Sequence, residues 1–122
     1  MTQEGFKQYS ELQKTFANDV YRVTNFLKEI DYDLNFVSEF YLSDGSVNTH
    51  GWEYWAFQGS EEHYGNFDAE MLTWTDEELQ KYVEQIKKGK EEERLREEIE
   101  KTRKKEEEER KEYERLKEKY EE

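Results

Sequence analysis

The apolar residues of this chain change their spacing at Asp33, and no other feature limits the fold as much. Before that point Tyr9, Leu12, Phe16, Val20, Val23, Leu27 and Ile30 recur at three- and four-residue steps, with Glu11, Lys14, Asp19, Arg22 and Lys28 between them. Residues at that period collect on one face of an α-helix, so 6–30 predicts a helix whose stripe faces the core. From Asp33 the period is two. Leu34, Phe36, Phe40 and Leu42 alternate with Asn35, Glu39 and Ser43, as in a strand with one buried face. Val37 and Tyr41 interrupt the polar side and predict partial cover of the second face.

Ser43-Asp44-Gly45-Ser46 is a hairpin signal, because Asp-Gly readily takes the positive-φ conformations of tight strand turns. A second strand is expected from Val47 through Trp52-Glu53-Tyr54-Trp55-Ala56-Phe57, with Gly51 marking a bulge or a close backbone approach. Residues 58–65 read as a loop with Glu61, Glu62 and His63 at its tip. Phe67, Ala69, Met71 and Thr73 alternate and place a third short strand over 66–74, although Ala69-Glu70-Met71-Leu72 alone would suit a helix. Thr75-Asp76-Glu77-Glu78 is a capping box, so a second helix begins at Asp76, docking through Leu79, Tyr82, Val83 and Ile86. Acids in its first turn also suit the helix dipole.

Beyond Glu91 most residues are Glu, Lys or Arg. Opposite charges recur four apart at Glu92–Arg96, Glu97–Lys101, Glu100–Lys104, Glu106–Arg110 and Glu107–Lys111. Each such pair adds roughly 0.2–0.5 kcal/mol, enough in number to support a helix without a core. Leu95, Ile99, Thr102, Tyr113, Leu116 and Tyr120 share one heptad register, but Glu106 and Glu109 occupy its middle, so the tail reads as a weak coiled coil, a solvated single helix, or a segment that is disordered. The expected architecture is α+β: an N-terminal helix, a three-stranded antiparallel sheet and a long charged C-terminal helix. An acidic, aromatic-rich module spans 1–88 and a charged helical tail spans 89–122.

Charge narrows the function. The formal net charge is −13, which argues against direct binding to nucleic acid or anionic lipid and favours a basic partner. Within 29–80 there is no Lys or Arg, while acids and all three tryptophans (Trp52, Trp55, Trp74) fall inside it. The chain has no cysteine, so disulfides and thiolate metal sites are excluded and a cytoplasmic location is expected. The first residues lack the basic and apolar regions of a signal peptide, and no apolar run reaches the roughly 18 residues of a membrane span.

Catalytic chemistry has little to work with. Asp44, Ser46 and His50 could form a triad on paper, yet they lie at a turn, where Ser, Asp and Gly have a structural reason to be. His63 with Glu61 and Glu62, or His50 with a nearby carboxylate, has metal-ligand chemistry. Asp31 and Asp33 resemble part of a calcium loop without its Gly and distal Glu. Solvent-facing loop residues account for all of these, so the expectation is a non-enzymatic protein with no catalytic residue, no metal ligand and no cofactor. The expected partner-binding residues are Glu39, Tyr41, Trp52, Glu53, Tyr54, Trp55, Glu61 and Glu62, where aromatic anchors sit among acids. Trp52 and Trp55 should project to opposite faces of a regular strand.

In composition and in its cation-free interval, the chain resembles small phage-encoded inhibitors of bacterial defence, the anti-CRISPR proteins and other DNA mimics. The resemblance implies inhibition of a basic nucleic-acid-binding effector, such as a CRISPR nuclease, in the host bacterial cytoplasm. The alternative expectation is a structural or assembly protein whose helical arm acts as a spacer or oligomerisation element, with a second copy of the chain as partner.

Overall fold

The computed structural model describes residues 1–121. Their order is helix α1 (Gln3–Leu27), a first 3-10 turn (Tyr32–Asn35), strands β1 (Glu39–Ser43), β2 (Ser46–Tyr54) and β3 (Ser60–Asp68), a second 3-10 turn (Ala69–Thr73), and helix α2 (Asp76–Glu121). The three strands form one antiparallel sheet in the order β1-β2-β3. This is the expected α+β arrangement. The chain divides into two compact units, one ending at Gln85 and the other beginning at Ile86.

Local chemistry explains the helix starts. Thr2 caps α1 by accepting from Gly5 N–H at 2.9 Å. The capping box forms as expected: Glu78 N–H donates to Thr75 Oγ1 at 3.2 Å, and Thr75 N–H donates to Glu78 Oε1 at 3.3 Å. Thr75→Ala should therefore cost about 1 kcal/mol in a denaturation experiment, the usual price of an N-cap. Arg22 ties α1 to this junction, donating from Nη1 to Asp76 Oδ1 at 2.9 Å and from Nη2 to the Leu72 carbonyl at 3.2 Å.

The core of the first unit takes Val20, Val23 and Leu27 from α1, Leu34 from the first 3-10 turn, Val47 and Phe67 from the sheet, and Leu79 and Val83 from the start of α2. Burying each such side chain contributes on the order of 1.5–3 kcal/mol. The α1 stripe is core for only part of its length. Phe16 packs edge-on against Phe40, but Phe6, Tyr9 and Leu12 are exposed, because the sheet covers only the C-terminal half of the helix.

Asp44 and Gly45 both have positive φ, 51° and 77°, and Ser43 pairs with Ser46 across the expected two-residue turn. Two expectations fail. Leu34 and Asn35 belong to a 3-10 turn, and the first strand begins only at Glu39: Asp31 caps that turn by accepting from Asp33 N–H, which pulls the chain out of extended geometry. The third strand is Ser60–Asp68, not 66–74; the expected loop is most of a strand, and Ala69–Thr73 is helical. Asp68 caps this second turn by accepting from Glu70 N–H at 2.9 Å.

In the second unit the tail is helical within α2, and one expected pair closes, Lys104 Nζ to Glu100 Oε1 at 3.8 Å. Arg94 bridges Glu91 at 2.6 Å and Glu98 at 2.8 Å. The heptad residues Leu95, Ile99, Tyr113, Leu116 and Tyr120 are exposed.

Candidate functional site

Side chains of directly paired strand residues share a face, so the register sorts the expected site into two groups. Glu39 pairs with His50, which pairs with Tyr64; Tyr41 pairs with Asn48; Trp52 pairs with Glu62; Tyr54 pairs with Ser60. Glu39, Tyr41, Trp52, Tyr54 and Glu62 therefore lie on one face, together with His50 and Tyr64. This outer face is turned away from the core: the intervening residues Val47, Thr49 and Gly51 are the buried ones.

On the outer face His50 stacks on Tyr64 with ring centroids 4.7 Å apart and meets the edge of Trp52 at 5.4 Å. Its Nδ1 lies 3.6 Å from Glu39 and its Nε2 3.4 Å from Glu62. Nε2 is buried without a hydrogen-bond partner among the described residues. Tyr64 donates its hydroxyl to Glu62, and that bond raises the phenol above its ordinary pKa. Glu39, Tyr41, Asn48, His50, Tyr64 and Asn66 line a depression of about 320 Å3. Tyr41, Tyr54 and Tyr64 are 63%, 76% and 65% exposed, too open for ordinary core aromatics.

Glu53 and Glu61 pair with each other and belong to the opposite, inner face, alongside the Gly51–His63 pair. Trp55 lies outside β2, where its N–H donates to the Gly59 carbonyl at 3.3 Å, and Gly59 has a φ of 74°. Trp52 and Trp55 thus do not form the opposed pair expected of a regular strand, because the strand ends at Tyr54.

The inner group is built around His63, whose side chain is 6% exposed. Gly51, its cross-strand partner, makes room for the Phe36 backbone beside it. A Cβ on Gly51 would stand 1.8 Å from the Phe36 carbonyl oxygen, so the chain at Phe36 crosses directly under β2. Ser38 N–H donates to the His50 carbonyl at 2.8 Å and fixes that crossing. The Phe36 ring consequently stacks on His63 at 4.5 Å, and Tyr32 meets it edge-on at 5.5 Å. Gly65 serves the same end: a Cβ there would lie 2.6 Å from Leu34 Cδ2. The two glycines admit the first 3-10 turn onto the sheet, and the turn delivers Asp33.

His63 Nδ1 lies 2.7 Å from Asp33 Oδ1, and Nε2 lies 3.1 Å from Glu53 Oε1 and 4.0 Å from Glu61 Oε2. The Asp33 hydrogen bond raises the imidazole above its ordinary pKa; burial opposes the shift, and Glu53 and Glu61 add to it. Tyr32 donates to both Glu53 oxygens, at 2.7 and 3.0 Å, and this bond raises the Tyr32 phenol.

The chain matches no family model, no curated protein and no solved structure. Function must be read from the two faces. The sequence pointed to the aromatics and acids of the hairpin but treated them as one group. It left Tyr32, Asp33, His50 and Tyr64 out of the partner-binding set, and suggested Asp33 and His50 only for metal or triad chemistry. The parity of His50, Trp52 and Tyr54 along β2 was the available signal for His50. The pairing of Tyr32 and Asp33 with β3 has no sequence signal.

Proposed function

We propose that the outer sheet face binds a basic segment of another protein, and that the chain thereby inhibits a nucleic-acid-binding effector. The observation that carries this reading is the gathering of Tyr41, His50, Trp52, Tyr54 and Tyr64 with Glu39 and Glu62 on one uncovered face. Aromatic faces and carboxylates together suit Arg or Lys side chains, through cation–π attraction and charge-assisted hydrogen bonds. No Lys or Arg in 29–80 competes for these positions. Basic segments of this kind are what proteins present to phosphate backbones, so occupancy of the face would exclude the nucleic acid.

Fewer acids serve the reading than the sequence offers. Asp44 is in a turn, Asp76 and Glu78 are engaged at the helix start, and Asp33, Glu53 and Glu61 surround His63. Mimicry of a whole phosphate array is therefore the weaker part, and an aromatic anchor flanked by two carboxylates the stronger.

The test is a titration of the full chain with an arginine-rich peptide at low and high salt, repeated with Trp52→Ala, Tyr64→Ala and Glu62→Gln. Binding should weaken with salt, and Trp52→Ala should lower affinity about 30-fold, the effect of losing a 2 kcal/mol hot spot. Equal binding by wild type and both aromatic variants would assign the interaction to the charged tail and sink the proposal. Displacement of duplex DNA from a basic DNA-binding protein then tests inhibition.

A further inference from the structure

We propose that His63, Glu53 and Glu61 form a binding site for one divalent transition-metal ion, with Asp33 and Tyr32 holding the ligands in position. The site is on the inner sheet face and is independent of partner binding on the outer one. One ligand atom from each of the three residues lies within 4.8 Å of the others. Nitrogen and carboxylate ligands sit at about 2.0–2.2 Å from such an ion, so ligand atoms must approach to roughly 3–3.5 Å of one another. The His63–Glu53 separation of 3.1 Å already meets that requirement. Glu61, at 4.0 Å, is the exposed member and closes the remainder by side-chain rotation.

The surroundings are what a metal-binding imidazole needs. Asp33 lies at Nδ1, so a proton held there leaves the Nε2 lone pair facing Glu53 and Glu61. A carboxylate behind the distal nitrogen of a ligating His sets both its tautomer and its orientation. Phe36 and Tyr32 fix the ring plane by stacking and edge contact. Tyr32 in turn holds Glu53, whose side chain is only 17% exposed.

Charge supplies a separate reason. Asp33, Glu53 and Glu61 bring three carboxylates to a single imidazole, and 29–80 contains no Lys or Arg to balance them. Even an imidazolium leaves two negative charges uncompensated around a buried ring, screened only in part by solvent at Asp33 and Glu61, which are 46% and 58% exposed. Replacing the Nε2 proton by a divalent ion removes one of those two. One imidazole with two carboxylates favours borderline ions such as Zn2+ over Ca2+, which seeks six to eight oxygens.

The test is calorimetric titration of the metal-free full chain with Zn2+, with Ca2+ and Mg2+ in parallel, and with Glu61→Gln, Glu62→Gln, His63→Gln and Glu70→Gln variants. Wild type and Glu70→Gln should each bind one Zn2+ per chain. Glu61→Gln should weaken binding by about 10-fold or more, the scale set by loss of a metal-site partner, and His63→Gln should abolish it. Should buried His63 prove indispensable to folding, Glu61→Gln decides, with the His63 Nε2 resonance expected to shift on Zn2+ addition in wild type. No saturable Zn2+ binding would overturn the proposal. So would Ca2+ binding as tight as Zn2+, or unchanged affinity in Glu61→Gln. Loss in Glu62→Gln with Glu61→Gln unaffected would put the ion on the outer face and overturn it as well.

Discussion

Gly51→Ala is expected to destabilise the first unit by about 3 kcal/mol or more, at the upper end of what overpacking costs. The added methyl would stand 1.8 Å from the Phe36 carbonyl oxygen, 2.3 Å from its carbon and 2.9 Å from the Val37 nitrogen, all backbone atoms with no rotamer to escape into. Relief requires the segment at Phe36 to lift off β2. That would break the Ser38–His50 hydrogen bond and carry Phe36 away from His63. The measurement is urea denaturation followed by circular dichroism, with Gly89→Ala as the reference. Gly89 lies inside α2 with open space around its Cβ position, so alanine there should stabilise the helix by about 0.5–1 kcal/mol. A Gly51→Ala protein as stable as wild type would mean that the crossing under β2 is not as close as described.

Leu79→Ala is expected to cost about 2–5 kcal/mol, the range for truncating a fully buried leucine. Leu79 is 0% exposed and belongs to the same cluster as Val20, Val23 and Val83. Domains of this kind are stable by roughly 0.05–0.15 kcal/mol per residue. A unit of Met1–Gln85 therefore holds about 4–13 kcal/mol, so the loss removes a large share of it and the variant should unfold at a clearly lower urea concentration. Leu95→Ala in the tail is the comparison. Leu95 is 44% exposed, so its loss should fall within about 0.5 kcal/mol of neutral. Equal effects at the two positions would show that the start of α2 is not part of the core.

Much of this was legible from residue order. The helical stripe, the Asp44-Gly45 turn and the Thr75–Glu78 capping box are local codes, each written within a few residues, and each appears where it was expected. Strand β3 was not legible. Its core-facing positions are Glu61, His63, Gly65 and Phe67, and only the last is an apolar residue of ordinary strand type. A polar cluster and a space-making glycine occupy the places where alternation would have announced a strand. The same residues that obscured the strand are those gathered at His63, where a local rule for strands gives way to a polar cluster. Exposure of Phe6, Tyr9 and Leu12 was equally hidden, since a periodic stripe says where a helix is apolar but not how far its neighbour extends.

By itself, then, the sequence determined the elements whose signals are short-range: α1, the hairpin, the capped start of α2 and the absence of cations across 29–80. Tertiary structure decided which face each acid joins. Glu61 and Glu62 are neighbours in the chain yet stand on opposite sides of the sheet, one beside His63 and the other beside His50. Asp33 reaches His63 from thirty residues away only because Gly51 and Gly65 leave space for the turn that carries it. The physical reason is that strand register and close backbone approach are set by packing between distant segments. One acidic, aromatic stretch thereby becomes two chemically distinct sites.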